Sequence, residues 1–133
     1  MIQAKATWTK QMQFEGTGNS GLSVIMDGDS KAGNSPMELV LIALCGCTAY
    51  DVVSILQKKR EPFSAVEVSA QAEKATEPPR VYTDIKLQYR VSGKVARKAV
   101  EDAVRLSEEK YCSVSAMLSK TAKIHYEIQL DQQ

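Results

Sequence analysis

A chain of 133 residues with 44% apolar and 25% charged residues has the composition of one soluble globular domain, long enough to bury about two-thirds of its unfolded surface. Its net charge is +1, with lysines and arginines spread among the acids, which leaves no electrostatic footprint for nucleic acid or an anionic membrane. The odd count of three cysteines argues against a secreted disulfide framework and for thiols that are reduced at rest. The opening MIQAKATWTK lacks the apolar run of a secretory signal. The longest charge-free apolar run, Leu39 to Tyr50, is shorter than the ~20 residues of a membrane span. These features predict a cytoplasmic protein.

In chain order, the first third reads as three short strands. Ala4, Ala6 and Trp8 alternate with polar residues, Met12 and Phe14 do the same, and Leu22 to Met26 follows the turn GTGNSG. Asp27-Gly28-Asp29 and Gly33-Asn34 mark a loop. Ser35, Pro36 and Glu38 then form a capping box, Ser-x-x-Glu with proline at the first helical position. This predicts a helix to about Lys59, where KKRE supplies cations and Pro62 ends the pattern. Two long alternating strands follow, through Val66 to Ala72 and Ile85 to Val91. Lys94 to Lys110 reads as an amphipathic helix. A short helix is expected over Val114 to Lys120, and a last strand places Ile124, Tyr126, Ile128 and Leu130 on one face. The order β-β-β-α-β-β-α-α-β predicts a single α+β domain, residues 1–133, with a largely antiparallel sheet. The long helix is apolar on every side from Leu39 to Ala49, so it must be buried all round. One small sheet covers only one side, and a second subunit is the simplest cover.

The thiols divide by position. On a helix Cys45 and Cys47 face about 200° apart, and the only histidine, His125, lies on a distant strand, so no metal site is expected. Cys45 reads as a small buried hydrophobe. Cys47 follows Gly46, a residue unfavourable in a helix by about 1 kcal/mol, and filler and function are equally open for it. Cys112 precedes a helix in EKYCSVSAMLSK, with Lys110 nearby, where amides and a cation favour a thiolate.

The run SPMELVLIALCGC, followed far downstream by EKYCSVSAML, resembles the OsmC/Ohr family of thiol-dependent peroxidases, and within it the bacterial YhfA-like branch. The resemblance covers essentially the whole chain. It implies an OsmC-like fold around a long central helix and an intertwined homodimer with active sites at the subunit interface. It also implies that Cys47 attacks an organic hydroperoxide and becomes a sulfenic acid, that Cys112 resolves it as a disulfide, and that an external dithiol reduces the bond, with no cofactor. Cys45 matches no family cysteine. Met37 stands where the peroxidases carry glutamate, and no arginine precedes Arg60, where they use one from the N-terminal strands. Lys5, Lys10 or Arg80 would have to supply the cation. Two other readings stay open: a non-catalytic dimer that binds a small apolar ligand or acts as a redox-responsive interaction protein, and thiols that only pack.

Overall fold

The structure, a computed structural model, describes residues 1–132. The chain divides into two compact units, the first ending at Ile42 and the second beginning at Ala43. In the first, β1 (Ala4–Lys10), β2 (Gln13–Gly18) and β3 (Ser23–Asp27) form an antiparallel sheet in the order β1-β2-β3. Trp8 lies opposite Phe14, and Phe14 opposite Met26. At the end of β3 the buried Asp27 carboxylate accepts hydrogen bonds from the amides of Asp29 (2.8 Å), Ala32 (2.9 Å) and Lys31 (3.3 Å). Those bonds, Ala32 first, hold its pKa below the usual carboxylate value despite burial.

Helix α1 spans Pro36–Lys58, ending one residue short of the expected Lys59. The capping box forms as the sequence predicts. The Glu38 amide donates to Ser35 Oγ at 3.2 Å, and the Ser35 amide donates to Glu38 Oε1 at 3.0 Å.

In the second unit, β4 (Phe63–Lys74), β5 (Tyr82–Gly93) and β6 (Lys123–Asp131) form a sheet in the order β4-β5-β6. The strands β4 and β5 are antiparallel, whereas β5 and β6 are parallel. The parallel pair follows from the crossover through α2 (Arg97–Leu106), a π turn (Ser107–Tyr111) and α3 (Ser113–Leu118). The central strand β5 buries Ile85, Leu87, Tyr89 and Val91 at 0% exposure, the period-2 pattern expected of it. At its end Gly93 takes φ +121°, and a Cβ there would stand 2.7 Å from the Pro62 carbonyl oxygen, so the hairpin requires glycine.

Two expectations need correction. There are two small sheets rather than one. The helix expected from Lys94 begins only at Arg97 and gives way at Ser107 to the π turn, because hydrophobic period alone does not register an inserted residue. Within the chain α1 is buried on one side, the cover expected of a single sheet. Its buried residues are Leu44, Thr48, Val52 and Leu56, a single stripe four residues apart. By length and composition α1 would also pass as a membrane span, a test that core helices pass as readily. The buried stripe, with Thr48 hydrogen-bonded to Tyr89 of β5 at 2.5 Å, is that of a core helix. Each fully buried leucine of the stripe contributes about 1.5–3 kcal/mol by removal from water.

Candidate active site

Cys47 sits half-buried on α1 next to the stripe residue Thr48, and Cys112 is the buried N-cap residue of α3, 3% exposed. The structure brings them near each other: the Cys47 thiol is close enough to push the Cys112 thiol up. Cys45 is half-buried on another side of α1, and burial pushes its thiol up.

Cys112 corrects one expectation. Its Sγ accepts the Ser115 amide at 3.3 Å, the helix-cap bond that favours a thiolate. Burial outweighs that bond, and the Cys47 contact and the Glu108 charge act in the same direction as burial, so the thiol is pushed up to about 12. The expected lysine does not help, since the Lys110 ammonium lies over the Tyr111 ring, 5.3 Å from its centroid. At neutral pH Cys112 is therefore a protonated thiol. Iodoacetamide should modify it only slowly in the folded protein at about pH 8, with a rate still climbing above about pH 10. Peptide mapping after timed labelling reads this, and the unfolded chain should label at the rate of an ordinary thiol. Fast labelling of folded Cys112 at the lower pH contradicts the assignment.

The π turn builds the rest of the site. The Cys112 amide donates to the Ser107 carbonyl at 2.9 Å, five residues back. The widened turn directs Ser107 and Glu108 toward α1 and β5, where π turns often serve function. Glu108 Oε1 accepts the Tyr89 hydroxyl, and its Oε2 accepts the Ser115 hydroxyl at 3.1 Å. Thr48 Oγ1 contacts the hydroxyls of Tyr89 at 2.5 Å and Ser107 at 2.8 Å, and Ser107 Oγ donates to Asp51 Oδ2 at 2.9 Å. Burial, the Glu108 hydrogen bond and its charge keep Tyr89 far above the usual phenol range. Asp51 lines an open cavity of about 450 Å³ with Tyr50, Ser54, Lys58 and Tyr111. Among the described residues no group of three or more His, Cys, Asp or Glu could hold a metal.

Sequence reasoning missed Thr48, Tyr89, Ser107, Glu108 and Ser115. One signal was available: Thr48 is the single polar residue in the stripe Leu44, Thr48, Val52, Leu56, and a buried hydroxyl needs a partner. The other expected residues are placed as follows. Lys5 and Lys10 lie on β1, which is exposed along its whole length, and Arg80 is exposed in the β4–β5 connection. Met37 occupies the first turn of α1.

A cysteine halfway along an apolar helix, facing a second cysteine that caps a short helix after the crossover, defines a class of thiol protein. Residues 27–127 match the OsmC-like protein family, and the chain belongs to it. It is 46% identical over 125 residues to Protein YhfA of Escherichia coli strain K12, covering 92% of this chain and 93% of that protein. A crystal structure of a hypothetical protein from Aquifex aeolicus VF5 superposes with a TM-score of 0.85 at 31% identity, covering 98% of each chain. The organic hydroperoxide resistance protein OhrB of Bacillus subtilis shares the fold, with a TM-score of 0.63 at 14% identity over 97% of this chain and 98% of that one.

Proposed function

We propose that the protein reduces organic hydroperoxides through Cys47 and Cys112. The observation that carries this reading is the proximity of the two thiols, each close enough to act on the other's ionisation, since a sulfenic acid at one is then near the sulfur of the other. The name of the fold relative OhrB supports the substrate class. The roles follow from the surroundings. Cys47 is half-buried and accessible, whereas Cys112 is 3% exposed and protonated at rest, so Cys47 attacks and Cys112 resolves.

In the first step the Cys47 thiolate bonds to the outer peroxide oxygen and the O–O bond breaks. The departing alkoxide takes a proton and leaves as alcohol, and Cys47 is left as a sulfenic acid. In the second step Cys112 loses its proton and its sulfur bonds to the Cys47 sulfur. The S–O bond breaks, and the hydroxide takes a proton and leaves as water. An external dithiol returns the disulfide to two thiols. Consumption of cumene hydroperoxide in the presence of dithiothreitol or a lipoylated reductant tests the reading. No consumption, together with a co-purifying apolar ligand in native mass spectrometry, favours the non-catalytic binding module instead.

The working form under this proposal is a homodimer. Along α1 the exposed residues Ala43, Gly46 and Tyr50 form a stripe of their own, and a Cβ built on Gly46 meets nothing within 4 Å. Small residues on an exposed helix face let a second helix approach closely. The first unit adds uncovered apolar surface at Trp8 (63% exposed) and Leu22 (78% exposed). Light scattering should give the mass of two chains, and the mass of one chain overturns this assignment.

A further inference from the structure

Five side chains run in an unbroken line from beside the thiols to the open cavity: Glu108, Tyr89, Thr48, Ser107 and Asp51. Counting protons along that line is informative. Its consecutive members make four oxygen–oxygen contacts, with three hydroxyls to fill them, and Thr48 Oγ1 also reaches Glu108 Oε1 at a longer 3.5 Å. When both carboxylates are ionised, Tyr89 donates to Glu108 and Ser107 donates to Asp51. Thr48, between them, has one hydrogen for two contacts, so one contact is left without a proton. A single additional proton, on either carboxylate, fills all four. If it sits on Asp51, each hydroxyl donates toward Glu108; if it sits on Glu108, each donates toward Asp51. No buried side-chain oxygen in the described residues lacks a partner, so the shortage is of protons and not of partners.

We propose that this line is a proton relay for the thiol pair, with Glu108 as its inner end and Asp51 as its outlet to solvent. The use assigned to it rests on the peroxidase reading. Glu108 is placed for it by Ser115, whose hydroxyl donates to Glu108 and whose amide donates to Cys112 Sγ. When Cys112 attacks the Cys47 sulfenic acid, its proton passes to the Glu108 end, and the departing hydroxide takes a proton from the same end and leaves as water. The relay is neutral over the cycle, and Asp51 exchanges its proton with solvent when the two events are not simultaneous. Glu108 takes up and returns the proton in this proposal, its charge acts on Cys112, and Ser115 holds it in place. The groups that face it are Tyr89 from β5, Thr48 from α1, and Cys112 and Ser115 from α3. Asp51 faces Ser107 and shares its cavity with Tyr50, Lys58, Lys59 and Tyr111.

Glu108→Gln and Asp51→Asn test this sharply. An amide at either end donates the missing hydrogen permanently, so the line is filled and the fold kept, yet the proton can no longer pass. Tyr89→Phe removes the hydroxyl that joins Glu108 to Thr48 at short range, with the ring retained, and leaves the long Thr48–Glu108 contact of 3.5 Å as the remaining link. Closure of the Cys47–Cys112 disulfide is followed by quenched-flow mass spectrometry over a pH series, once with cumene hydroperoxide and once with oxidised glutathione, whose Cys47 adduct Cys112 resolves without any peroxide step. The relay predicts closure slowed by about ten-fold or more in Glu108→Gln and Tyr89→Phe, with a flattened pH profile, an unchanged rate of Cys47 sulfenic acid formation and more of it trapped by dimedone. Wild-type closure rates and pH profile in both variants overturn it. If the wild type closes with oxidised glutathione in a Glu108-dependent manner but ignores hydroperoxide, the peroxidase reading fails and the relay stands.

Discussion

Cys47→Ser is expected to abolish hydroperoxide turnover, whereas Cys112→Ser should complete the first oxidation and stop. A serine hydroxyl at position 47 is not an effective nucleophile toward peroxide oxygen without the activation that a thiolate carries intrinsically, so the loss should reach about a thousand-fold or more in kcat/KM. Cys112→Ser removes the buried thiol that faces Cys47. Its sulfenic acid should persist, accept dimedone, and oxidise further under excess peroxide. Cys45→Ser should turn over like the wild type, because Cys45 faces away from the pair. Equal activity in all three variants would leave both cysteines as packing residues. The order of effects is the informative part, because a general loss of fold would lower all activities together.

Leu44→Ala is expected to produce the largest loss of stability, about 2–5 kcal/mol in urea unfolding. Leu44 is fully buried and begins the stripe that continues through Thr48, Val52 and Leu56. Truncation leaves a cavity that rigid neighbours on a helix cannot close. Cys47 lies three residues along the same helix, and its thiol reaches Cys112 only while that face of α1 stays seated. Disulfide closure should therefore weaken along with stability. An exposed position such as Ser113 of α3 offers no such leverage, and a surface change there should fall within about 0.5 kcal/mol. A cost below about 1 kcal/mol for Leu44→Ala would mean that the stripe is not the anchor of α1.

The elements were legible where sequence chemistry is local. The capping box Ser35 to Glu38 marked the start of α1, and alternation through Ile85, Leu87, Tyr89 and Val91 marked β5. The split into two sheets and the parallel β5–β6 pair were not legible, since they depend on which strands meet after a crossover. The candidate site was half legible. Cys47 and Cys112 were singled out from motif and resemblance, and their contact is a property of the fold. The ionisation of Cys112 was misjudged, because local reasoning sees the Ser115 amide and Lys110 but not the burial that outweighs them. Glu108 stayed hidden for a similar reason. It sits in an apparently ordinary polar stretch, SEEKY, and only the π turn directs it inward to Tyr89 and Ser115.

The decisive experiment is the intact mass of the reduced protein after one equivalent of cumene hydroperoxide, followed by peptide mapping without reductant. A loss of two hydrogen atoms per chain is expected, with a single linked peptide joining Cys47 to Cys112. An unchanged mass, or an oxygen adduct confined to Cys45 with both other thiols free, would contradict it.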